Sequence, residues 1–139
     1  MVYINRKEHF NAAHRLYKDD WSREKNREIY GVCANDFGHG HDFELIVTVK
    51  GHPDPESGFV MDMKKLGDLI KEEIITRVHQ RDLNTEVDFL KGKQPTCEVL
   101  VMEFWKILAP KIAAISQARL HAVKLYETQK NFVEYFGEE

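Results

Sequence analysis

His39-Gly40-His41 places two imidazoles two residues apart. On a β-strand that spacing sends both side chains to the same face, where they can converge on a single cation, and Gly40 leaves the opposite face clear. Neutral imidazoles suit zinc. Three protein ligands would leave the fourth tetrahedral position open for water or a substrate oxygen, which is how a catalytic zinc is held. His14 is the natural third ligand, because it follows Phe10 and Ala12 on the even positions of an earlier strand and antiparallel pairing could bring it opposite the pair. Its alternative is a core histidine bonded to backbone. Of the remaining four histidines, His9 has the opposite parity and His52 falls in a turn, so both read as surface residues. His121 shares the period-two face of Glu127 and reads as a core or interface residue. His79 stands at a helix end, where the dipole favours a cationic ring. Cys33 and Cys97 are too few for a disulfide framework, and in a reducing compartment each is a free thiol.

The elements that must position these groups follow from apolar period. Phe10, Ala12, His14 and Leu16 alternate, as do His39, His41, Phe43, Leu45, Val47 and Val49, so two half-buried strands carry the histidines. Residues 17–35 between them are polar and charged, with Trp21 the main anchor, and read as a long functional loop. After the turn-rich stretch 51–58, Met63, Leu66, Ile70, Ile74 and Val78 recur at helical spacing behind Asp62 as N-cap, giving a helix that ends near His79. A second helix is expected from Thr96, with Val101, Trp105, Leu108 and Ile112 inward and a kink or early end at Pro110. Val123, Leu125 and Glu127 share one face of a third strand, and 131–135 form a fourth after a turn at 128–130. The expected class is α+β, an antiparallel four-stranded sheet (ββααββ) with two helices on one face, in one domain spanning residues 1–139.

Composition narrows the function. The 139 residues carry 20 basic and 23 acidic side chains, a formal charge of −3, and no basic-aromatic platform, so no nucleic-acid partner is expected. No run approaches the ~20 apolar residues of a membrane span, and the N-terminus lacks a signal-peptide stretch, so no membrane partner and a cytoplasmic location are expected.

Longer motifs add a resemblance. Phe10-Asn11-Ala12-Ala13-His14-Arg15-Leu16, then Cys33 six residues before His39-Gly40-His41, resemble the signatures of the 6-pyruvoyl-tetrahydropterin synthase family. The likeness continues through Val47-Thr48-Val49-Lys50-Gly51, Gly58-Phe59-Val60-Met61-Asp62, Thr96-Cys97-Glu98 and Tyr126-Glu127-Thr128 to Tyr135-Phe136-Gly137-Glu138, nearly the whole chain. It implies the T-fold, whose subunits join sheets around a barrel. The implied assembly is a homo-hexamer, a dimer of trimers, with sites between subunits. It also implies Zn2+ on His14, His39 and His41, and 7,8-dihydroneopterin triphosphate as the substrate, from which triphosphate is eliminated. Under the resemblance Cys33 is the catalytic base and Glu127 anchors the pterin, a bidentate carboxylate suiting adjacent N–H donors. Thr96 and Glu98 align with the stretch that helps hold the pterin, although a helix cap and a first-turn acid explain them equally well.

One departure from the family pattern concerns proton transfer. The family carries Asp-His where this chain reads His79-Gln80, and glutamine relays no proton. Either a one-residue shift at the helix end lets His79 take the histidine's place, oriented by Asp82 or another carboxylate, or His79 acts alone. Otherwise the chain is a catalytically impaired pterin and zinc binder. Among active relatives, the 6-carboxy-tetrahydropterin synthases of the queuosine (7-deazaguanine) pathway share the substrate and the zinc site. The gap between Cys33 and His39 and the charged excursion before it resemble the pyruvoyl branch. For the triphosphate the sequence offers Lys18, Arg23, Lys25, Arg27 and Arg81, readable also as solvated surface charges.

Overall fold

The computed structural model describes residues 1–138. Its centre is a sheet of five strands with helices packed on one face, in which β3 (Arg81–Asp82), β1 (Val2–His14), β2 (His39–Gly51), β4 (Arg119–Tyr126) and β5 (Phe132–Tyr135) lie side by side in that order. The two longest strands, β1 (Val2–His14) and β2 (His39–Gly51), run antiparallel from Val2 opposite Gly51 to His14 opposite His39. Alternation sets their buried faces: Phe10 and Ala12 of β1, and Phe43, Leu45, Val47 and Val49 of β2, are each at most 5% exposed. The Phe10 and Phe43 rings stack with centroids 4.8 Å apart, and Phe104 meets Phe10 edge-on from the helical layer.

That layer begins with α2 (Met63–Ile70), whose start is capped by the Asp62 carboxylate accepting the Lys64 N–H. The helix then widens into a π-helical segment (Lys71–Ile75) and closes in a last turn, α3 (Thr76–Val78). A π turn accommodates one extra residue, so it rotates the helix end relative to a regular continuation. Leu66, Ile70, Ile74 and Val78 still reach the core. The main helix, α4 (Cys97–Ile115), is capped by the Thr96 hydroxyl accepting the Val99 N–H. It buries Leu100, Val101, Phe104, Leu108 and Ile112. Trp105, expected inward, is only half-buried, packed against the edge of the core and against Tyr135.

Four features correct the reading of the sequence. The four expected antiparallel strands, β1, β2, β4 (Arg119–Tyr126) and β5 (Phe132–Tyr135), are present, but the two-residue β3 (Arg81–Asp82) adds a fifth strand parallel to β1 at Ala12 and Ala13, so the sheet is mixed. Too short to show a period, it is created by its neighbour. Residues 17–35 are not all loop: Ser22 caps a helix, α1 (Arg23–Tyr30), followed by a 3-10 turn (Gly31–Ala34). Pro110 does not end α4. It lies on the exposed side, where the Lys106 carbonyl that it leaves unpaired can be hydrated, and the helix runs to Ile115. Finally, a bulge in β4 against Thr48 and Val49 breaks its period. Leu120 and Val123 both face the core, while His121 leaves the expected face and packs against Tyr3 and Phe136, 4.7 and 5.7 Å between centroids.

The excursion is held at its root by side-chain amides that imitate strand pairing. Asn84 bonds the N–H and C=O of Arg15, both at 2.7 Å; Gln94 does the same for Tyr17; and Asn26, fully buried, does it for Lys18. Each amide supplies the donor and the acceptor that a neighbouring strand would have offered.

Phe43 lies fully buried beneath the histidines, its centroid 5.6 Å from that of His41 and 6.1 Å from that of His14. Replacing it by alanine should lower the unfolding free energy by about 3–5 kcal/mol, measured by urea denaturation of the metal-free protein.

Candidate metal centre

The β1–β2 register assembles the histidines. His14 is the direct partner of His39 and Ala12 that of His41, so His14 sits diagonal to His41 while His39 and His41 project from one face two residues apart. Ring centroids are 5.1 Å apart for His14–His39, 5.3 Å for His14–His41 and 4.5 Å for His39–His41. One ligand nitrogen from each lies within 4.8 Å of the others. The close approach at the start of β2 depends on Gly38, which has φ +66° and where a Cβ would stand 2.5 Å from the His14 carbonyl oxygen.

The ring nitrogens match a cation in detail. His14 is 1% exposed, and its Nδ1 donates to the Pro95 carbonyl at 2.8 Å, which leaves Nε2 with a bare lone pair. His14 is thus a core histidine bonded to backbone whose second nitrogen is left without a partner. His14 Nε2, His39 Nδ1 and His41 Nε2 are the buried side-chain polar atoms without a hydrogen-bond partner among the described residues. Such atoms are costly when left unpaired, and three converging in one place could hold a metal ion. Burial, with Glu127 opposing it and the other two imidazoles assisting, pushes the His41 pKa down, which favours the neutral form of the ring.

Two further groups border the cluster. The Glu127 carboxylate lies 3.9 Å from His14 Nε2 and 3.7 Å from His41 Nε2, with 26% of its side chain exposed. It lines a cleft of about 630 Å³ with His41 and Tyr126, and a second of about 270 Å³ with Cys97, Glu98, Asn131 and Phe132. Cys33 Sγ lies 3.8 Å from His39 Nε2. The thiol is carried there because its own carbonyl accepts the Leu16 N–H at 2.7 Å, folding the excursion back onto the end of β1. Burial pushes the Cys33 thiol above its ordinary pKa, and Glu127 adds to the shift.

The other candidates are placed differently. The Thr96 hydroxyl is engaged in capping α4, while Glu98 is exposed beside the smaller cleft. His79 is not brought to Cys33 within the chain. Its Nδ1 accepts the Asn11 N–H at 3.0 Å on the β3 side of β1, so a backbone amide orients it, whereas the Asp82 carboxylate accepts the Asn84 N–H. Gln80 follows with φ 57°, a left-handed conformation that turns the chain into β3. Of the five basic residues, Arg23 faces Asp36, Arg81 approaches Glu86, and Lys18 and Lys25 lie over the Trp21 ring. Sequence reasoning missed Cys97, whose Sγ donates to Glu127 Oε2 at 3.3 Å, and the Pro95 carbonyl behind His14. Cys97 stands 30 residues from its partner, with no local pattern to mark the pair.

The sheet and its helical layer agree with comparisons against known proteins. The family model described as 6-pyruvoyl tetrahydropterin synthase matches residues 3–138, and the chain belongs to that family. The 6-pyruvoyl tetrahydrobiopterin synthase of Dictyostelium discoideum is 37% identical over 99% of this chain and 97% of its own. The structure of Caenorhabditis elegans 6-pyruvoyl tetrahydropterin synthase superposes with a TM-score of 0.87 at 32% identity, covering 99% of this chain and 96% of that one. The 6-carboxy-5,6,7,8-tetrahydropterin synthase of Rickettsia typhi is 24% identical, over 96% of this chain and 99% of its own.

Protein purified with ample divalent metal should carry about one ion per chain by elemental analysis, and His39→Ala should reduce this close to zero while the far-ultraviolet dichroism is retained.

Proposed function

We propose that this chain acts as a 6-pyruvoyl tetrahydropterin synthase, converting 7,8-dihydroneopterin triphosphate with elimination of triphosphate. The observation that carries the reading is the convergence of three unpartnered imidazole nitrogens bordered by one thiol and one carboxylate. His14, His39 and His41 would hold Zn2+, which as a Lewis acid would acidify the substrate's side-chain hydroxyls and the adjacent C–H. Cys33 is the proton acceptor. Its Sγ borders the cluster, and while burial and Glu127 raise its pKa in the metal-free chain, a cation held by the imidazoles would oppose both influences. Glu127 receives the ring and exocyclic N–H donors of the pterin. Thr96 contributes by holding the start of α4, and Glu98 borders the cleft beside Glu127.

His79 completes the set from another copy of the chain. With Nδ1 accepting from Asn11, the ring proton resides on Nε2, and that N–H is free to serve a neighbouring protomer's Cys33 in a hexamer whose sites lie between subunits. The widened turn at 71–75 is a structural means for the one-residue shift that would bring His79 into this role. The identity of 37% to a pyruvoyl-forming relative against 24% to a carboxy-forming one favours the first reaction over the second.

Purified zinc-loaded protein should release triphosphate from 7,8-dihydroneopterin triphosphate and yield the 6-pyruvoyl product; a 6-carboxy product with acetaldehyde would overturn the assignment. Cys33→Ala should lower kcat at least about a hundredfold with metal content unchanged, the loss expected on removing a general base. Normal turnover in that variant would refute the role of Cys33.

A further inference from the structure

We infer that Cys97 is a positioning residue that orients the Glu127 carboxylate and so sharpens selection for ligands with a 2-amino group. The inference rests on the pterin-anchoring reading of Glu127. Among the described residues, the hydrogen bond to the Glu127 carboxylate comes from Cys97, Sγ to Oε2 at 3.3 Å. The other nearby polar atoms, His14 Nε2 and His41 Nε2, carry no partner and lie beyond hydrogen-bonding distance at 3.9 and 3.7 Å. The last torsion of a glutamate has a broad minimum, so without a donor this carboxylate would be free to rotate. Bidentate pairing requires its plane to match the ligand's donor edge.

Cys97 is well placed to supply that restraint. It is 7% exposed, and it is the first residue of a 19-residue helix whose cap at Thr96 holds the backbone. Burial and the neighbouring Glu127 push its pKa far up, so it remains a protonated donor. Each carboxylate oxygen has two acceptor directions, so one bond from the thiol to Oε2 leaves both oxygens able to receive a ring N–H and an exocyclic N–H. The same short segment holds the metal centre, since the Pro95 carbonyl fixes the tautomer of His14. Pro95, Thr96 and Cys97 thus set the metal ligand, the helix start and the carboxylate relative to one another.

The test compares binding of neopterin with that of its 2-oxo counterpart, the lumazine bearing the same trihydroxypropyl chain, by fluorescence titration of metal-loaded protein. Because the side chains are identical, their contacts with the metal centre cancel in the ratio. Wild-type protein should prefer the 2-amino ligand. Cys97→Ala should reduce that preference about tenfold, as loss of a hydrogen bond to a charged acceptor does, and Cys97→Ser should restore most of it. Metal content should be unchanged in both variants. A preference undiminished in Cys97→Ala, or a loss that serine fails to restore, overturns the role of Cys97. Absence of any preference in wild-type protein overturns the reading of Glu127 as the pterin carboxylate, and this inference with it.

Discussion

The antiparallel pairing of β1 with β2 determines where everything else in the site can stand. His14 meets His39 at one end of a ladder that runs to Val2 and Gly51, and the ladder's register is set by which residues each strand must bury. A slip of β2 by one residue would drive Phe43 and Leu45 into solvent and turn His39 and His41 to the face opposite His14. The hydrophobic contacts that stabilise the sheet therefore also fix the histidine geometry. Phe43 links the two directly, being both a core residue and the floor of the cluster.

Around that pairing the chain uses short polar connections to bring distant residues to one point. The carbonyl of Pro95 fixes the proton of His14, the carbonyl of Cys33 takes the N–H of Leu16, and the thiol of Cys97 reaches Glu127. None of these bonds is large on its own, for a net hydrogen bond contributes about 1 kcal/mol. Their effect is to choose one arrangement among many of similar packing energy, which a site needing sub-ångström placement requires. The amides of Asn26, Asn84 and Gln94 act in the same way at the root of the excursion, where no strand is available to pair with the backbone.

The histidine cluster illustrates how one ring can serve two ends. An imidazole has two nitrogens, and His14 gives one to the backbone and leaves the other without a partner. His79 has the same division, with Nδ1 on the Asn11 amide. In each case the backbone bond decides which nitrogen carries the proton, and with it what chemistry the ring can do.

By itself the sequence determined the two long strands, the start of both principal helices and the shared face of His14, His39 and His41, because these follow from period and capping within a few residues of chain. Glu127 was also legible as an acid sharing the parity of Val123 and Leu125, although it lies just past the end of β4 and is partly exposed at a cleft. The tertiary structure alone decided the parallel β3, the bulge that moves His121 off its expected face, the π turn before His79, and the thiol of Cys97 against Glu127. The short strand, the bulge and the thiol contact depend on segments far apart in the chain, whose energies offset local preference. Periodicity reports what a segment must bury and leaves unstated which distant atom will meet it.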